Sequence, residues 1–263
     1  MYTLTEAKSL GQFTAPAKIQ TTFDKIRDQR SVYLWSDTYS QLDKEFLMRY
    51  LNNNDINTIM VSPGKHKIGV QEFLSQTLIE NKPVFLLIGE NSYVQKGFSK
   101  SLKNKIKNLN PIYQGIHLDI EPQALEDWSS NKEAYLNTFV QVLKDSKRVL
   151  GLDKKLSVAV PVFFPENVLE EIFTIADEVV VMAYGNTDIN YVERKLTEEL
   201  LINQNTNKLT IALRATDFDN RIELEAFIDQ VIDKLGVKSF AIQDLSDLID
   251  LDQKTILEDI KKD

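Results

Sequence analysis

Short apolar runs rich in β-branched residues recur along this chain with stretches of helical period between them, and the alternation repeats eight times. The runs are Val32–Trp35, Ile56–Ser62, Pro83–Ile88, Ile112–Glu121, Leu156–Val162, Glu178–Tyr184, Leu209–Arg214 and Ser239–Gln243. The helical stretches that follow them are Gln41–Leu51, Gln71–Glu80, Ser99–Leu109, Asn131–Val149, Glu166–Ile175, Tyr191–Asn203, Arg221–Leu235 and Lys254–Lys261. Parallel strands need long crossovers, and a helix after every strand supplies them. Eight such units in 263 residues predict an α/β chain folded as a single (β/α)8 TIM barrel, a fold of about 250 residues. An open doubly wound sheet produces the same local pattern and is the alternative. The domain reading is an N-terminal arm over residues 1–30 and the barrel over 31–263. Connections are short, as at Thr216–Asn220, so no large inserted subdomain is expected and the groove should be open and shallow.

Charge and missing residue types narrow the partners. The formal charge of -8 opposes nucleic acid or an anionic lipid surface as a partner, whereas neutral or cationic ligands fit. With no cysteine and two histidines, disulfides, thiolate chemistry and a histidine-rich metal site are excluded. The carboxylates are too sparse to suggest a metal site, and no cofactor is expected. No apolar run approaches the roughly 20 residues that cross a bilayer. Met1–Gln12 lacks a signal-peptide pattern, so the expected compartment is cytoplasmic for a whole chain and extracellular or cell-surface for one trimmed of an export signal. No oligomer interface is legible.

In a barrel of this kind the active site lies at the C-terminal ends of the strands. The residues there are Asp37, Ser62, Glu90, Asp119, Glu121, Tyr184, Arg214, Gln243 and Asp244. A serine without a nearby second histidine makes a weak case for a hydrolytic triad, and with no glycine-rich phosphate loop, phosphoryl transfer and dinucleotide chemistry fall away. Carboxylate chemistry remains. In Gln114–Glu121 the period of two puts Gly115, His117, Asp119 and Glu121 on one face and Ile116, Leu118 and Ile120 on the other. Pro122, which cannot donate to a ladder, ends the strand. Two carboxyls two residues apart on an inward face would share a proton, raising the pKa of the outer acid, Glu121, as a general acid for glycosidic cleavage requires. A solvated strand end is the plainer reading of the same pair.

The segment Gln114–Glu121 resembles the strand-four signature of glycoside hydrolase family 18, the chitinase-like barrels, written D-G-x-D-x-D-x-E. Gly115, Asp119 and Glu121 match it, while Gln114 and His117 stand where the family has aspartates. Met182-Ala183-Tyr184-Gly185 is similar to the family's Met-x-Tyr-Asp, with Gly185 in place of the aspartate. The resemblance implies a hydrolase of polysaccharides containing N-acetylated amino sugars. Glu121 would be the acid, the substrate's acetamido group the nucleophile, and Asp119 and Tyr184 the residues that orient it. An imidazolium at His117 would hold Asp119 ionised and weaken the proton sharing. The family's strand-eight tryptophan is not evident in Phe240–Asp244.

Around this centre the expected substrate contacts are His117, Trp35, Glu90, Trp128, Met182, Arg214, Gln243 and Asp244. Tyr93, Phe163, Phe164 and Tyr191 are further aromatics that could stack on sugar rings or belong to the core. Arg214, ending an apolar strand, needs an acceptor: Asp244, Glu90 or a substrate oxygen. His66 is expected in solvent. Two rivals to the family 18 reading are a non-catalytic carbohydrate-binding barrel and a two-carboxylate glycosidase pairing Glu121 with Glu90 or Asp244.

Overall fold

Inward and outward residues of the strands differ in kind, and that difference closes the sheet. The computed structural model describes residues 28–64, 67–97 and 99–260. Its strands are β1 (Gln29–Leu34), β2 (Ile56–Val61), β3 (Val84–Ile88), β4 (Gly115–Leu118), β5 (Lys155–Pro161), β6 (Glu178–Met182), β7 (Leu209–Arg214) and β8 (Ser239–Gln243). All neighbours are parallel and in chain order, and β1 pairs β8 with Ser31 opposite Ala241, so the sheet is a closed barrel. An open doubly wound sheet is thereby ruled out.

Facing inward are Tyr33, Met60, Phe85, Leu87, Val180, Ala212 and Ala241. Large side chains from β1 to β3 meet alanines from β7 and β8, which fills the barrel without overpacking it. Gly115 belongs to the same fit, because a Cβ there would lie 2.1 Å from the Lys155 carbonyl oxygen and 2.9 Å from Phe85 Cε1. The outward aliphatics, among them Val32, Leu34, Ile116, Leu118, Val179 and Val181, join the helices in the larger core.

Those helices are α1 (Ser36–Gln41), α2 (Lys44–Asn53), α3 (Lys67–Ile79), α4 (Tyr93–Lys96), α5 (Lys100–Lys107), α6 (Trp128–Leu150), α7 (Glu166–Ile175), α8 (Ile189–Lys195), α9 (Thr197–Thr206), α10 (Arg221–Leu235) and α11 (Leu245–Ile260). The first expected helix, Gln41–Leu51, is replaced by two, since Asp43 accepts from Phe46 N–H (2.9 Å) and starts α2 afresh after α1. The last helix begins at Leu245 rather than Lys254. Asp244 caps it, accepting from Asp247 N–H (3.1 Å) and from Ser246 Oγ (2.6 Å). The acidic run from Asp244 to Asp252 hides its apolar face, on which Leu245, Leu248, Ile249 and Leu251 are buried.

Of the expected arm, residues 1–27 lie outside the described residues, as does His66, while Gln29 and Arg30 already belong to β1. Arg30 is held in a charged cluster at the N-terminal end of the barrel. It donates to both Glu225 oxygens (2.6 Å each) and to Asp28, while Arg221 bridges Glu225 (2.7 Å) and Asp252 (3.2 Å). No described helix is long and apolar enough to cross a membrane.

Candidate active site

Strand β4 is shorter than expected, and the way it ends shapes the site. Asn110 turns the chain before it, its carbonyl accepting from Tyr113 N–H (3.0 Å), so pairing starts only near Gly115. At the other end Asp119 N–H still donates to the Ile88 carbonyl (2.9 Å), but Glu121 N–H is taken by Asn91 Oδ1 (2.8 Å) from the loop after β3. Pro122 then opens a single 3-10 turn, Pro122–Ala124. Asp119 and Glu121 thus leave the strand at the barrel mouth, both half-buried. Gly89 makes room beside them, since a Cβ there would sit 3.3 Å from the Asp119 carbonyl oxygen.

Burial, and after it the charge of Glu121, pushes the Asp119 carboxyl up from 3.8 to about 7. The sequence reading gave the raised acid to the outer residue, Glu121. Asp119, one inward position deeper in the barrel, is driven up by its burial. Glu121 Oε2 accepts from Gln123 Nε2 (3.0 Å).

Beneath Asp119, His117 is completely buried and both ring nitrogens are engaged: Nε2 with the Tyr33 hydroxyl (2.9 Å) and Nδ1 with Ser157 Oγ (2.8 Å). Burial pushes its pKa down to about 3, so the ring is neutral near pH 7. Two expectations are corrected: His117 is not placed to touch a ligand, and no imidazolium lies under Asp119. A neutral imidazole carries one N–H, so one hydroxyl donates to the ring while the other accepts from it.

Tyr184, two residues past β6, lies on the inner cluster together with Trp35 and Met182. Trp35 stacks over Tyr33, ring centres 6.4 Å apart at 28°. The Tyr184 hydroxyl is pushed well above its ordinary value by burial, then by the charges of Asp119 and Glu121, so it remains a hydrogen-bond donor near both carboxyls.

Arg214 braces neither Asp244 nor Glu90. Its Nε and Nη2 donate to Asp217 Oδ1 (3.0 and 2.7 Å), and its guanidinium carbon lies 5.7 Å from the centre of the Tyr184 ring. Asp217 Oδ2 accepts from Gly185 N–H (2.7 Å). Gly185 has φ +77°, a conformation side chains disfavour, so the glycine standing where the resemblance has an aspartate is set by the backbone. Asp217 therefore latches the end of β7 to the end of β6. Sequence reading missed it; the only available signal was its i,i+3 spacing from Arg214, inside a segment treated as plain loop.

The remaining expected residues divide. Gln243, half-buried, pairs in register with Arg214 at the mouth, and the Gln243–Asp244 peptide is cis. The Asp244 carboxylate is used as the α11 cap. Glu90 faces outward, accepting from Ser92 Oγ (2.9 Å) with Lys105 at 3.8 Å. Trp128 packs on the outer core with Lys132 6.0 Å from its ring, away from the inner cluster. Tyr93 and Phe164 are buried, whereas Phe163 and Tyr191 are exposed. The structure thus brings Trp35, Asp119, Glu121, Met182, Tyr184, Arg214 and Gln243 together at the C-terminal ends of the strands, while His117 is sealed beneath them and Glu90, Trp128 and Asp244 are engaged elsewhere. Among the described residues no group of three or more His, Cys, Asp and Glu side chains is arranged to hold a metal ion.

No protein-family model matches this chain, and no curated protein matches its sequence. Among solved structures it is similar to a chitinase from Bacteroides thetaiotaomicron, at 11% identity over 89% of this chain and 98% of that one, with a TM-score of 0.60. It is similar also to the Bacillus cereus spore cortex-lytic enzyme SleL, at 13% identity over 86% of this chain and 74% of that one, with a TM-score of 0.53. A chain of the tryptophan synthase a2b2 complex of Pyrococcus furiosus is as near, at 14% identity over 89% of this chain and 95% of that one, with a TM-score of 0.55. At identities this low the likeness is one of fold, and the fold that this chain shares with all three is the (β/α)8 barrel.

Proposed function

We propose that the protein is a glycoside hydrolase acting on a polysaccharide that contains N-acetylated amino sugars, with Glu121 as the general acid. One observation carries the reading: Asp119 and Glu121 leave β4 side by side at the mouth, the inner carboxyl pushed up to about 7, with the Tyr184 hydroxyl in the field of both. The partial family 18 resemblance on β4 and β6, and the barrel shared with a chitinase and a cortex-lytic enzyme, support it.

The chemistry follows from these groups. Gln123 engages Glu121 Oε2, so Oε1 is the oxygen available to deliver a proton to the leaving glycosidic oxygen. As the C1–O bond breaks, the carbonyl oxygen of the substrate's own acetamido group bonds to C1 and the positive charge passes to the resulting ring. With the proton of the pair on Glu121 and Asp119 ionised, Tyr184 donates to the acetamido oxygen and Asp119 accepts the acetamido N–H as the charge develops. Glu121, now a carboxylate, takes a proton from water as that water attacks C1 and releases the sugar. Substrate assistance removes the need for a second catalytic carboxylate. That matters here, because Glu90 and Asp244, the partners a two-carboxylate mechanism would use, are turned to Lys105 and to the α11 N-terminus.

A carbohydrate-binding barrel without turnover is the second reading, favoured by the neutral His117 and by Gly185 standing where the resemblance has aspartates. Reducing-end release from fully and partly acetylated amino-sugar polymers, with Glu121→Gln in parallel, separates the two. Loss of about 10²–10⁴-fold in the variant supports the general acid. Undiminished hydrolysis refutes it, and binding without release in both proteins selects the binding barrel.

A further inference from the structure

The 28 residues from Asn91 to Leu118 contain five lysines and not one carboxylate, in a chain with 39 acidic residues. They include α5, an amphipathic helix that buries Leu102 and Ile106 and exposes Lys100, Lys103 and Lys107. Lys105 lies 3.8 Å from Glu90, but the other three have no carboxylate partner among the described residues. In a protein of charge -8, three cations on one short helix with no counter-charge form a local field opposite in sign to that of the whole molecule.

Beside this helix runs a groove of about 560 Å³ between α5 and α3. It extends from Pro63, after β2 at the mouth end, to Asn110 and Tyr113, before β4 at the opposite end. Its walls carry Gln71, Ser101, Asn104, Lys105 and Asn108 over a floor that includes Leu86, no carboxylate lines it, and Lys100, Lys103 and Lys107 stand on the adjoining face of the helix. Amide side chains offer both donors and acceptors, which suits sugar hydroxyls. None of the exposed large apolar side chains lies on α5, so the surface lacks the residues that would insert into a bilayer.

We infer that this wall of the barrel, the lysine face of α5 with the groove beside it, binds an anionic polysaccharide chain. The lysines meet the carboxylate or phosphate groups of the polymer and the amides its hydroxyls. This site is separate from the mouth and stands whether or not the mouth hydrolyses anything. The whole-chain charge, which argues against a polyanionic partner, is overridden locally because screening confines each charge to about 10 Å.

Titration calorimetry of the full chain with polygalacturonate and with its fully methyl-esterified, neutral form is the test. Binding should occur to the acid form alone and weaken about tenfold between 50 and 200 mM salt, as release of a few counterions requires. The Lys100→Glu/Lys103→Glu/Lys107→Glu variant should lose tenfold or more. A charge-matched control, Arg194→Glu/Lys195→Glu/Lys238→Glu, should bind as the wild type does. Should the reversed helix unfold, the corresponding triple glutamine variant takes its place. Asn104→Trp, which fills the groove without altering charge, should also weaken binding. Equal affinity for the ester, equal loss in the control, or no effect of Asn104→Trp overturns the inference. So does binding to phosphatidylglycerol vesicles with none to the polymer, which would make the surface a lipid-binding one.

Discussion

Replacing Asp119 by asparagine should stabilise the protein at pH 8 and leave its stability unchanged in acid. The Asp119 carboxyl is held at about 7 in the fold against 3.8 ordinarily, first by burial and then by Glu121. Because the folded state holds this proton more tightly than the unfolded chain does, stability falls as pH rises between those two values. Above the upper one the full cost is in place. A difference of about 3 units at 1.36 kcal/mol each gives an upper bound of roughly 4 kcal/mol. Asparagine has the same shape and no charge to desolvate. At pH 8 the variant should therefore melt higher by as much as roughly 8–16 °C, at about 2–4 °C per kcal/mol for a domain of this size. At pH 2.5, below both values, where the wild-type carboxyl is protonated folded or unfolded, the two should agree. Calorimetric melting at both pH values is the assay, supported by urea titrations for the free energies. A variant that melts lower at pH 8, or one stabilised equally at both, refutes the reasoning. If hydrolysis is lost as stability is gained, the strain at Asp119 is tied to function.

Removing the latch with Asp217→Ala takes the acceptor from the Gly185 N–H and the Arg214 guanidinium, both exposed to water, and should cost about 0.5–1.5 kcal/mol in urea titrations. Where hydrolysis is measurable, it should lower kcat by loosening Tyr184; an unchanged melting curve and unchanged turnover refute the latch. His117→Leu strips the Tyr33 and Ser157 hydroxyls of their partner inside the barrel and should cost about 2–5 kcal/mol; in the wild type, nitrogen NMR should find the ring neutral from pH 5 to 8. Glu225, driven down to about 2 mainly by Arg30 against its own burial, contributes stability present above 4.5 and lost as pH falls towards 2. Glu225→Gln should therefore cost about 3–5 kcal/mol at pH 7 and much less at pH 2.5, measured by denaturant titration.

The alternation of apolar runs and amphipathic stretches determined the barrel from sequence, since each βα unit carries its own periodicity and eight of them close a sheet of this size. The same local logic located Asp119, Glu121 and Tyr184, because strand ends are where such a barrel puts its reactive residues. What sequence could not decide depends on neighbours distant in the chain. Strand β4 ends at Leu118 because Asn91 captures the Glu121 amide, and the acidic start of α11 hides its apolar stripe. How far the Asp119 carboxyl is raised depends on its burial in the closed barrel, which spacing along the strand does not reveal. His117 is neutral because β1 and β5 bring Tyr33 and Ser157 to its two nitrogens in a space water does not reach. Arg214 finds Asp217 and Gly185 where three residues of loop curl back across two strands. Periodicity is written in the chain, whereas burial and pairing exist only once the barrel has closed, and burial sets the protonation of Asp119 and His117.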